Sequence, residues 1–182
     1  MEIKMLKCIR KLFNKTFSES QKTSQDCYDR FYDAISIGNE TDVLSGLMAG
    51  IRIEEHDHYA VRLAAHRSRI NVLELFNRVI PDFKNHSASG LGLALDFSRK
   101  EAASFLIGIG GADSSHVYIA IRRGMTECIK QLLEQGFEID YVSEKELSEL
   151  IEKGYNDTVN LVKKKMKKPT NTLIDKCRLI YQ

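Results

Sequence analysis

The chain of 182 residues has no tryptophan and only two prolines, Pro81 and Pro169. With so few helix breakers, long stretches stay open to helix. Uninterrupted apolar stretches run to only a few residues, too short for a bilayer-spanning helix. Lys4, Lys7, Arg10 and Lys11 interrupt any signal-peptide core, so a cytosolic location is expected, a host cytosol if the chain is an effector. The four cysteines, Cys8, Cys27, Cys128 and Cys177, form no CxxC pair and fit no zinc spacing. Reduced thiols are the expectation, with Cys128 packing as a small hydrophobe. Catalytic signatures are missing as well. No P-loop, GxGxxG, HExxH or GxSxG motif is present. His56-Asp57-His58 comes nearest to a metal site, but a site needs further ligands. His66, His86 and His116 stand at loop or helix-start positions and are expected to be exposed connector histidines. No catalytic residue, metal or cofactor is therefore expected, and the chain reads as no enzyme.

What is present is ordinary in amount and unusual in arrangement. The chain is 43% hydrophobic and 29% charged, as a soluble globular protein is. Its net charge of +2 hides a segregation. Residues 26–162 carry 14 Lys and Arg against 22 Asp and Glu, whereas both ends are basic. Boundaries are placed where composition changes. Residues 1–25 form a basic amphipathic helix and polar linker, 26–166 a repeat array, and 167–182 a basic tail with one short helix.

The array rests on spacing. Ala34, Ala64, Ala94 and Ala120 each stand four residues before Gly38, Ser68, Ser98 and Gly124. Twelve residues after those stand Gly50, Ile80, Gly110 and Gly136. A weaker fifth copy reads Leu150, Gly154 and Met166. The steps between copies are 30, 30, 26 and 30 residues. Three further positions are apolar in every copy. They are Phe31, Val61, Leu91, Val117 and Leu147 before the anchors. Ile35, Ala65, Leu95, Ile121 and Ile151 follow the anchors, and Val43, Leu73, Ala103, Ile129 and Val159 follow the turns. Such spacing is one helix face, a turn and a second helix. Glycine at the turn can take the left-handed conformation that ends a helix. Ser143 with Glu146 reads as a capping box, and Asn39 as an N-cap. One helix pair cannot bury its apolar face alone, so stacking is required. The copies are placed at 27–53, 57–83, 87–113, 114–140 and 143–166, giving an all-α helical-repeat solenoid with short connectors and terminal helices.

These residues resemble ankyrin repeats, whose units run close to L-x-x-A-A-x-x-G and end L-L-x-x-G-A-D. Val117, Ala120, Gly124, Leu132, Leu133 and Gly136 follow that order, and copy three ends Gly111-Ala112-Asp113. The array departs from the family in its shorter period and in lacking Thr-Pro at the helix openings. Its connectors are accordingly expected to be cut short. The likeness extends to divergent ankyrin proteins of large DNA viruses, phages and intracellular bacteria.

The resemblance implies a protein-protein interaction module, an adaptor or an inhibitor, with host antagonism as one role. It implies binding through the concave side, by connector tips and the exposed face of each first helix: Ser36 and Ile37, His66 and Arg67, Asp96 and Phe97, Arg122 and Arg123, Glu152 and Lys153. Phe97 reads as an aromatic anchor, and Arg122 with Arg123 as a cationic pair. Core packing for Phe97 and a solvated face for the arginines are the rival readings. The basic ends offer a second surface, with Lys4, Lys7, Arg10 and Lys11 at one end and Lys163, Lys164 and Lys165 at the other. That surface suits nucleic acid or an anionic membrane. A cap for copy one and a helix-end charge are the rival readings there.

Overall fold

The computed structural model describes residues 25–167. The described residues form ten α-helices and no strand. The helices come in five pairs. They are α1 (Gln25–Ile37) with α2 (Glu40–Met48), α3 (Glu55–His66) with α4 (Ile70–Val79), and α5 (Ala88–Asp96) with α6 (Lys100–Gly108). Then follow α7 (Ser114–Arg122) with α8 (Thr126–Glu134), and α9 (Glu144–Glu152) with α10 (Asn156–Lys165). A 3-10 turn, Phe83–His86, precedes α5.

The spacing of four between anchor and turn has one physical cause. In all five pairs the first helix ends on a left-handed residue: Gly38, Ser68, Ser98, Gly124 and Gly154 have φ of 85°, 55°, 54°, 66° and 78°. The next residue then donates its backbone N–H back to the anchor carbonyl. Asn39, Arg69, Arg99, Met125 and Tyr155 reach Ala34, Ala64, Ala94, Ala120 and Leu150 at 2.7–3.0 Å. This is the Schellman ending, and it satisfies carbonyls that a helix end otherwise leaves open. Three second helices end the same way, at Gly50, Gly110 and Gly136. Ile80 breaks the series. It is extended (φ −97°, ψ 119°), the conformation that a residue before proline prefers, and Pro81 follows.

The anchors are small because neighbouring helices come close. Ala34, Ala64, Ala94 and Ala120 are all buried. A Cβ built on Gly90 would lie 2.9 Å from Val61 Cγ1 and 3.5 Å from Ala65 Cβ, so α3 and α5 are in near-backbone contact. First helices pack on first helices from α1 through α7. Second helices pack on second helices from α2 through α10. One apolar cluster runs through all five pairs. Each buried leucine or isoleucine in it contributes about 1.5–3 kcal/mol.

Fourteen of the fifteen recurring apolar positions are buried. Ile151 is the departure, at 49% exposed. Its four equivalents are buried, and no described helix follows α9 in that row. His116 is a second correction. It stands at a helix start but is buried, where an exposed histidine was expected. It stands in the first turn of α7, where Asp113 and His116 form a capping box. His66 likewise is the last residue of α3. The Ser143–Glu146 capping box and the Asn39 cap form as expected. The connectors hold no strand, and they bury Ile51, Ile53, Phe83, Ile139 and Val142. The expected N-terminal helix, the short C-terminal helix, and Lys4, Lys7, Arg10 and Lys11 lie outside the described residues.

The turn residues make opposite predictions at two equivalent positions. Ser98 carries a left-handed strain of about 1–2 kcal/mol that glycine lacks. Ser98→Gly is expected to raise the denaturant midpoint, by about 0.5–1 kcal/mol after the added flexibility of the unfolded chain. Gly124 faces the ring of Tyr155, and a Cβ there would sit 2.4 Å from Tyr155 Cγ. Gly124→Ser is expected to lose about 2 kcal/mol or more in the same measurement. At the α9 cap, the Ser143 hydroxyl and N–H hold the Glu146 carboxyl below its usual range. The unfolded chain binds this proton more readily. The stability from Glu146 is therefore present at neutral pH and lost as pH falls through the depressed pKa. Ser143→Ala is expected to cost about 1 kcal/mol at pH 7 and less under acid, read from urea titrations at the two pH values.

Candidate protein-interaction surface

The repeated helix ending fixes where the last residues of each first helix project. The two positions before each left-handed turn form a row running from pair to pair. Ile37 and Phe97 in this row are 69% and 53% exposed, large apolar groups held in water. Phe97 is therefore a surface residue, and the core reading of it fails. Arg67, Asp96, Arg122 and Arg123 are exposed, and His66 is half-buried.

Side chains of this row are joined across pairs. The His66 ring meets Phe97 edge-on, with centroids 4.5 Å apart and planes at 90°. Such a contact is worth about 0.5–1.5 kcal/mol and restrains the Phe97 ring. Arg123 reaches Asp96 at 3.2 Å. Both side chains are about half exposed, so this pair contributes at most about 1 kcal/mol. The structure thus brings together His66, Phe97, Asp96 and Arg123. Arg122 does not join them. It lines a separate groove of about 390 Å³ with Tyr118, Ile121, Glu146, Glu149 and Lys153 between α7 and α9.

Beneath this row runs a set of bonds that sequence reasoning did not find. Arg69 Nε donates to the Ser36 carbonyl at 2.7 Å, and Arg99 Nε donates to the His66 carbonyl at 2.9 Å. Each arginine follows a turn residue and clamps the preceding pair's first helix. The signal was the recurrence of arginine directly after Ser68 and Ser98.

A tyrosine cluster near the front was also missed. Tyr28 hydrogen-bonds Glu55, Tyr32 hydroxyl meets His56 Nδ1 at 2.7 Å, and Tyr59 stands edge-on to Tyr32 at 4.8 Å. Burial, with the Glu55 charge, pushes the Tyr32 phenol up to about 12. The i, i+4 placement of Tyr28 and Tyr32 was the available signal.

The second helices carry a larger groove of about 730 Å³, lined by Lys100, Ser104, Phe105, Met125, Cys128 and Gln131 among others. Gln131 Nε2 donates to Ser104 Oγ at 2.7 Å, while its Oε1 is buried with no partner among the described residues. Burial, then the charge of Glu127, pushes the Cys128 thiol up to about 11. At neutral pH it is therefore a protonated, weakly nucleophilic group.

The histidines take up local roles. His58 Nε2 lies 3.2 Å from His86 Nδ1, and His116 Nε2 lies 3.0 Å from the Ala88 carbonyl. His56, Asp57 and His58 are all left-handed, so regular helix in α3 begins at Tyr59. Among the described residues no group of three or more His, Cys, Asp or Glu is placed to hold a metal. None of the described helices is long and apolar enough to cross a membrane.

Lys163, Lys164 and Lys165 are exposed in the last turn of α10, where positive charge complements the helix dipole. Lys167 turns back to the body and pairs with Glu138 at 2.5 Å and Asp140 at 3.1 Å. No protein-family model matches the chain, and no curated protein is detectably similar to it.

Proposed function

We propose that the chain is a non-catalytic protein-protein interaction module, an ankyrin-like array of five helix pairs. It acts by occupying a partner protein, as an adaptor or an inhibitor. The partner surface is the row His66, Arg67, Asp96, Phe97, Arg122 and Arg123. The observation that carries this reading is Phe97. A phenylalanine half in water, braced edge-on by His66, is a rigid aromatic anchor of the kind that concentrates binding energy. Rigidity matters because less side-chain entropy is lost on binding. The separate groove beside Arg122 carries mixed charge, which favours a protein over a uniformly anionic ligand. Antagonism of a host factor or defence system is one role that such a module can fill by binding alone.

Affinity capture from the native cell, followed by mass spectrometry, tests the reading. A single stoichiometric protein partner is expected with the full chain. Phe97→Ala is expected to weaken that complex by about 30-fold, the effect of losing a hot spot, with the helical signal unchanged. Recovery of nucleic acid or lipid alone, or equal capture by Phe97→Ala, overturns it.

A further inference from the structure

The exposed Ile151 marks a docking face. Ile35, Ala65, Leu95 and Ile121 hold the same register, directly after the anchors, and each is at most 2% exposed. Between α3 and α5, cover comes from the next first helix. A Cβ on Gly90, four residues before its anchor, would lie 3.5 Å from the Cβ of Ala65, directly after the previous anchor. The residue after one anchor thus meets the residue four before the next.

The sequence supplies a next anchor at the usual step. Thirty residues beyond Leu147, Leu150 and Ile151 stand Cys177, Ile180 and Tyr181. These three lie outside the described residues. Charge follows the same register. Arg122, two residues after its anchor, and Glu146, four before the next, line one groove and carry opposite charges. One step later those positions are Glu152 and Lys176, the same pair with the signs exchanged. Lys167 is fixed by its N–H bond to the Ile139 carbonyl at 3.0 Å, and the nine residues on to Lys176 extend to about 30 Å.

We propose that residues 173–182 dock on α9 as a sixth first helix, with Ile180 as the anchor and Lys176 against Ile151 and Glu152. The register rests on the repeat reading above; no partner is involved, so failed partner capture at Phe97 would leave this inference standing. Cysteine pairing in the full chain tests it. Two variants are compared on a Cys177→Ala background, Ile151→Cys with Lys176→Cys, and Ile151→Cys with Arg178→Cys. The first pair is placed within the Cβ separation that a disulfide needs, and the second is turned to another side of the helix. Under mild oxidation the 151–176 disulfide is expected to form about tenfold faster or more than the 151–178 one, read by non-reducing peptide mapping. Equal rates, or no intramolecular disulfide, overturn the proposal. A disulfide joining two chains at position 151 also overturns it, because a second copy then owns the face. Independently, Glu152→Lys is expected to lower the melting temperature, and adding Lys176→Glu is expected to restore it. No restoration counts against the pairing.

Discussion

Everything in this molecule hangs on one constraint of chirality. An L-residue resists the left-handed conformation, so a helix that ends there needs glycine or must tolerate strain. The chain makes this ending five times in its first helices, and each time the same hydrogen bond closes on the anchor carbonyl. The ending reverses the chain within two residues and lays the second helix against the first. It also fixes the projection of the two residues before it. The core, the turns and the exposed row are all set by that one local geometry.

The constraint made much of the fold legible. Ala34, Ala64 and Ala94 could be read because only a small side chain fits between close helices. Gly38 and Gly124 could be read because few residues accept their backbone angles. Ser68 and Ser98 fell into place by spacing although their chemistry is less suited. Ile151 could not be read. Its apolar character is the same as that of Ile121, and exposure depends on a neighbour that local spacing does not describe. The burial and capping role of His116 were missed for a related reason: a histidine three residues after Asp113 becomes a cap only when the first turn is helical.

The surface was less legible than the core. The row 66–67, 96–97 and 122–123 followed from register, but the couplings within it did not. That His66 braces Phe97, and that Arg123 is engaged by Asp96, depends on the offset between neighbouring pairs. Lys167 teaches the same lesson. It reads as part of a basic run, yet Glu138 and Asp140 in a distant connector draw it back to the acidic body.

The junctions between pairs are chemically unequal from front to rear. Arg69 and Arg99 fasten the front pairs through directional bonds to helix carbonyls. At the same position further along, Met125 has no side-chain N–H to give, and Tyr155 lays its ring over Gly124 instead. A ring resting on a glycine can slide, whereas a guanidinium held at a carbonyl cannot without breaking its bond. The rear pairs have directional bonds of their own, away from these turns: Gln135 Nε2 to the Ile107 carbonyl at 2.6 Å, and Thr126 with Thr158 at 2.8 Å. A shear between neighbouring pairs therefore meets two kinds of resistance at the turns, a hydrogen bond at Arg69 and Arg99 and ring packing at Tyr155.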